Sequence, residues 1–199
     1  MKTKDETKKI EASIVSVGSW NSRIFTPAWV SANIFAMPDG KSMKIALNEQ
    51  QMTLSYVWKD IQLLMSDTRI EFKSSQCSKE TLTLMEQYYQ RISELLPYTP
   101  VAAVGYNLNL TLTPDEYKQT VVSGMLEQKN IDIYTNGTQT FSAVKDGAVR
   151  SFVVQLNADN AEIRANFHYP QPKLTPAVGN AFGIIESEMK HFIGDEFRI

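Results

Sequence analysis

Few side chains in this sequence are suited to covalent or acid–base chemistry. The single cysteine, Cys77, stands one residue before Ser78, which opens a helix-like stretch, so the positive end of a helix could lower its thiol pKa and make it a nucleophile. A catalytic thiolate also needs a base. The only histidines, His168 and His191, are 23 residues apart, and nothing in their spacing pairs either with Cys77. Two histidines and one cysteine make none of the C-x-x-C or H-x-x-x-H pairs that build zinc geometry, so no metal is expected. The glycines form neither G-x-G-x-x-G nor G-x-x-x-x-G-K, so no phosphate cradle and no cofactor are expected. Glu71 and Glu162 can act as an acid–base pair only if their strands are neighbours. An enzyme centred on Cys77 or on Glu71 and Glu162 is thus one alternative, and the main expectation is a protein without enzymatic activity.

The elements that would position these groups read twice as strand, helix, four strands, helix. A strand opens each half, Ala12 to Gly18 and Val101 to Leu112. Each then meets a Thr-Pro pair, Thr26-Pro27 and Thr113-Pro114, where a hydroxyl can accept from an orphan helix amide and proline loses nothing by lacking its own N–H. Glu116 completes a capping box with Thr113. About four short β runs follow in each half. Polar turns separate them at Asn48 to Gln51, Lys59-Asp60 and Ser66 to Thr68, then at Asn136-Gly137, Asp146-Gly147 and Asn157 to Asn160. Amphipathic helices close the halves. One enters at Ser78 with Leu82, Met85, Tyr89, Ile92 and Leu96 on a stripe; the other enters at Thr175-Pro176 with Val178, Phe182, Ile185, Met189 and Phe192. Gly179 and Gly183, four apart, are expected to let that last helix approach the sheet. Val15 and Val104 are 89 residues apart, but Ser78 and Thr175 are 97 apart, so longer hairpins are expected in the second half.

This order of elements resembles the duplicated fold of the TATA-box-binding-protein family. The resemblance implies an α+β fold with two pseudo-repeats, 10–98 and 99–199, forming one curved antiparallel sheet with helices on one face, behind a disordered tail over 1–9. It also implies a saddle that can meet nucleic acid. The stretch Val17 to Trp29 (V-G-S-W-N-S-R-I-F-T-P-A-W) resembles the N-terminal part of small bacterial proteins of unknown function, and supplies no activity.

Composition narrows the class of partner. The chain is 43% apolar and 10% aromatic over 199 residues, with mean hydropathy −0.26, as in globular proteins rather than disordered ones. No apolar run approaches the length of a membrane span. The charged start, Met1 to Lys9, has no apolar segment behind it as a signal peptide would, and a lone cysteine suits a reducing compartment, so a cytoplasmic location is expected, and the resemblance over Val17 to Trp29 implies a bacterial one. Lys and Arg number 12 against 11 acids through residue 98 and 8 against 11 after it. A pI near 5.8 lies well below that of a typical nucleic-acid-binding domain.

Period-two alternation sorts the strands into faces. Val104, Tyr106, Leu108, Leu110 and Leu112 turn inward, leaving Asn107 and Asn109 outward. Ala161, Ile163, Ala165, Phe167 and Tyr169 turn inward, leaving Arg164, Asn166 and His168 outward. Lys73 lies opposite Phe72. Phe72, Phe152 and Phe167 fall in the inward register, so none is available as the apolar wedge that kinks DNA. Ala148 to Leu156 breaks the pattern: Val149 and Val153 oppose Phe152, Val154 and Leu156, as in a central or covered strand. Trp29 reads as core, Trp20 as a lid over it, and Trp58 as a contact at the tip of the sheet. The leading expectation is an adaptor in a multi-component assembly. It would bind a protein partner through the open face, with Asn107, Asn109, Arg164, Asn166, His168 and Lys73, and through the tip at Trp58. The first alternative is a nucleic-acid binder that uses the asparagines and Arg164.

Overall fold

The computed structural model describes residues 9–48, 52–75, 77–128, 137–157, 159–170 and 180–194. Within them the chain forms nine strands and five α-helices. The strands are β1 (Lys9–Gly18), β2 (Lys44–Asn48), β3 (Thr53–Trp58), β4 (Ile61–Met65), β5 (Arg69–Ser74), β6 (Val101–Leu112), β7 (Gly137–Lys145), β8 (Ala148–Leu156) and β9 (Ala161–Pro170). The helices are α1 (Pro27–Trp29), α2 (Lys79–Leu95), α3 (Pro114–Lys118), α4 (Val121–Gln128) and α5 (Ala181–Ile193).

All nine strands belong to one sheet, ordered β2-β3-β4-β5-β1-β6-β9-β8-β7, and every neighbouring pair is antiparallel. The two opening strands, β1 and β6, meet at the centre. On one side of them lie β5, β4, β3 and β2 from the first half, and on the other β9, β8 and β7 from the second. The second-half hairpins are the longer ones, with strands of 9 and 10 residues against 5 and 6. The β run expected before Asn136-Gly137 lies outside the described residues, as do Thr175-Pro176, Val178, Gly179 and residues 1–8. β1 starts three residues before its expected beginning, at Lys9, the last residue of the supposed tail; Lys9 already pairs with Thr111.

Local chemistry explains the helix starts. The Thr26 hydroxyl accepts from the Trp29 amide at 3.3 Å with Pro27 first in the helix, and Ser78 accepts from Thr81 at 3.1 Å. Thr113 and Glu116 close their capping box, with Thr113 N–H donating to the carboxylate at 2.8 Å. Two expectations need correction. The helix after Thr26 is a single turn that widens into a π-helical turn, Val30–Ile34. The helix after Thr113 breaks at Thr120, whose hydroxyl donates to the Tyr117 carbonyl and accepts from the Ser123 amide, which starts α4 anew.

One core lies between the helices and one face of the sheet. Leu82, Met85, Tyr89 and Ile92 of α2 and Phe182, Ile185 and Met189 of α5 are buried in it, as their spacing predicts. Tyr106 holds the second half together through edge contacts with Tyr169 and Phe182. Trp20 is buried, 6.5 Å from the Phe25 ring, consistent with a lid. Gly183 serves a different contact from the one expected. A Cβ there would sit 2.2 Å from the Asn180 side chain, so its bareness accommodates the start of α5 rather than an approach to the sheet.

Candidate functional site: the bare face of the sheet

Because side chains alternate and α2 and α5 pack on one side, the other side of the sheet carries its outward residues in register. A complete row runs across all nine strands: Lys44, Val57, Gln62, Lys73, Ser13, Asn107, Asn166, Ser151, Ser142. Its centre is bonded together. Asn107 donates to the Ser13 hydroxyl at 3.0 Å, Asn166 donates to the Asn107 carbonyl oxygen, and the Ser142 and Ser151 hydroxyls lie 3.1 Å apart. The next row places Asn109 beside Arg164. On the other side of the first row, His168 stands between Gly105 and Val149.

Six of the seven expected contact residues therefore share this face: Lys73, Asn107, Asn109, Arg164, Asn166 and His168. They differ in what they have left to offer. Asn107 and Asn166 bond each other, and Arg164 is held by Glu162 at 2.6 Å and Gln155 at 3.0 Å. The side chains of Lys73, Asn109 and His168 have no hydrogen bond or ion pair among the described residues, and Lys73 and His168 are exposed.

Trp58, the seventh, lies off this face. It shares the parity of Tyr56, pairs with Ile61, and packs half-buried against the core. The polar turn beside it, Lys59-Asp60, marks a strand end and not the side its indole takes. β8 also differs from expectation. It is the second strand from the edge rather than central, and Val149 is 38% exposed on the bare face.

Near the centre the face dips into a depression of about 540 Å³ lined by Ser13, Gln62, Lys73, Asn107 and Asn109, with Lys59 and Asp60 at its margin. Its walls carry two cations, Lys59 and Lys73, and three acids, Glu11, Asp60 and Glu71. No Phe, Tyr or Trp of the described strands lies on the bare face, and Phe72, Phe152 and Phe167 are at most 5% exposed in the core. Lys44, Arg69, Lys73 and Arg164 lie on this face, and two of them are already in ion pairs, Arg69 with Glu71 and Arg164 with Glu162. Binding to a nucleic acid draws on cations that release counterions from phosphates.

The candidate chemistry separates in space. Glu71 lies on β5 and Glu162 on β9, with β1 and β6 between them, about 14 Å across three strand spacings before any offset along the strands. They do not form a pair. Cys77 packs against the core, on the other side of the sheet from His168, and its Sγ lies 3.6 Å from the Ser74 carbonyl. Burial pushes the thiol up to about 11, the reverse of activation at a helix start. Among the described residues no three His, Cys, Asp or Glu side chains converge as a metal site would require.

Two charged residues the alternation did not single out organise the covered side. Arg150 shares its parity with Phe152 and Val154 and is 4% exposed. It pairs with Glu188 of α5 and with Asp146 at 2.6 Å, and lies 4.9 Å from the centre of the Phe167 ring. Glu86 of α2 accepts from the Asn180 and Phe182 amides at 3.1 and 2.8 Å, capping α5 from a neighbouring helix. Arg150's place in the inward register was the available signal, whereas Glu86 is joined to α5 only by tertiary structure.

No helix of the described residues is long and apolar enough to cross a membrane. No family model and no curated protein matches the chain.

Proposed function

We propose that this protein is a non-enzymatic adaptor subunit of a multi-component assembly that binds a protein partner through the bare face of its sheet. One observation carries this reading: an in-register row crosses nine strands with no helix of the described residues over it, and Ser13, Asn107 and Asn166 at its centre are bonded to one another. A polar, partly self-satisfied face with few unpaired cations fits a hydrated protein interface. Lys73, Asn109 and His168 are the anchors, because a partner can engage them without first breaking a bond within the chain. Asn107, Asn166 and Arg164 form the scaffold around them. The meeting of β1 with β6 and the flanking meanders support reading the halves as duplicated units of the TATA-box-binding-protein type.

Photo-crosslinking in cells tests the proposal. A benzophenone side chain at Asn109 is expected to trap a discrete partner, and the same group at exposed Arg91 on α2 is not. Capture that is equal at both positions, or absent at Asn109, refutes it. Retention of the purified chain on DNA at low salt, lost as salt rises, would favour the nucleic-acid alternative instead.

A further inference from the structure

The edge strand β2 is exposed at all five residues. Ile45 and Leu47 point to the helix side of the sheet, as their partners Tyr56 and Leu54 do, yet they are 48% and 56% exposed. The phase of the backbone follows from the next hairpin. Lys59-Asp60 is a two-residue turn with Trp58 opposite Ile61. The residues flanking such a turn form a hydrogen-bonded pair, and bonded and non-bonded pairs alternate along the ladder. Trp58 thus directs its backbone groups to β4 and Val57 to β2, and Val57's partner Lys44 points back to β3. Alternation then turns the N–H and C=O groups of Ile45 and Leu47 outward, where neither has a partner among the described residues.

We propose that β2 pairs with β2 of a second copy of this chain, antiparallel about a twofold axis at Ala46. In that register Ile45 faces Leu47 of the second copy on both sides of the axis. All the outward groups of the two residues are used, giving four backbone hydrogen bonds. The same pairs bring together the apolar side chains left exposed on the helix side. Ala46 meets its own copy as a non-bonded pair, where Cα atoms approach to about 4.5 Å and a small side chain fits. Lys44 falls opposite Asn48, so no like charges meet across the strands. A registry centred on Ile45 or Leu47 would use only one of the two residues with its own copy. The contact is isologous and closes at two copies, so it does not grow into a filament. It joins two nine-stranded sheets edge to edge and places both bare faces on one surface. The inference stands on the edge geometry and is independent of what binds that face.

Cysteine pairing and sedimentation test it together. In a Cys77→Ser background, Ala46→Cys is expected to give a disulfide-linked dimer on mild oxidation, while Thr140→Cys on the opposite edge strand β7 stays unlinked. The wild-type chain is expected to shift from monomer to dimer with rising concentration. Ile45→Pro removes one outward donor and leaves the β3 ladder intact, and is expected to weaken that shift at least tenfold in concentration; should it fail to fold, Ile45→Lys is expected to do the same. The proposal is overturned if Ala46→Cys stays unlinked, if Thr140→Cys links as readily, or if the wild type sediments as a monomer throughout.

Discussion

Arg150 offers the sharpest quantitative test of how the helix layer is fastened to the sheet. It is 4% exposed, and its partner Glu188 is 20% exposed and also lies 3.5 Å from Lys145. Removing one member of a fully buried ion pair typically costs about 3–5 kcal/mol, because the remaining charge stays desolvated. Glu188 keeps Lys145 and some water, so Arg150→Met is expected to cost about 3 kcal/mol; methionine preserves much of the aliphatic packing on Phe167. For a domain of this size that corresponds to roughly 6–12 °C in Tm. Glu188→Leu leaves the guanidinium with only Asp146 and is expected to cost a similar amount. The double variant removes both charges and is expected to cost about 1 kcal/mol, since a buried pair replaced by packed apolar groups is often near neutral. Urea unfolding of all four proteins with a common m value gives the coupling directly. Additive losses, or an Arg150→Met cost below about 1 kcal/mol, would show that the pair does not anchor α5.

Two further outcomes follow from the titratable groups. Burial raises the Glu86 pKa despite the amides that donate to it, so the folded state holds this proton better than the unfolded chain. The resulting stabilisation is fully present below the unfolded carboxyl pKa and is lost as pH rises through the raised folded value. Glu86→Gln keeps one of the two acceptor oxygens and turns its Nε2 donor on the other α5 amide, so it starts from a pH-independent loss, but its stability relative to wild type is expected to rise as pH goes from 4 to 7 in urea unfolding, whereas Glu86→Ala loses about 1–3 kcal/mol with both acceptors. A flat difference between Glu86→Gln and wild type refutes the burial argument. For Cys77, a thiol at about 11 against about 8.5 in an unfolded chain predicts iodoacetamide labelling at pH 8 at least about 100-fold slower in the native protein than in denaturant. Equal rates would mean that the thiol is not held in the core.

The parts of the fold that were legible in sequence are those set by local rules. Alternation in β6 and β9 placed Asn107, Asn109, Arg164, Asn166 and His168 on one side because a strand's period is fixed at two. Thr113 with Glu116, and Ser78 with Thr81, form bonds within a single turn. Sequence spacing carries no record of which strands are neighbours, and that decided the chemistry: Glu71 and Glu162 are divided by β1 and β6. Trp58 stands at the strand end beside its polar turn, and its parity with Tyr56, legible in the alternation, turns the indole to the covered side. For Cys77 the lack of a base in the sequence already favours an incidental, half-buried cysteine over a nucleophile, and burial against the core outweighs the dipole of the helix after it and moves its pKa upward.

The hydrogen bonds of the bare face bear on how it would recognise a partner. An amide that already bonds its neighbour offers a partner less than an unbonded one, since the old bond must be exchanged for the new. Ser13, Asn107 and Asn166 are therefore a rigid ground on which Lys73, Asn109 and His168 stand. Lys73 and His168 belong to different halves of the chain and flank the central β1–β6 pair, so a partner touching both is held across the join between the halves. Pairing at β2 would place a second such surface on the same sheet, and two weak contacts made together bind far more tightly than either alone when one partner spans both.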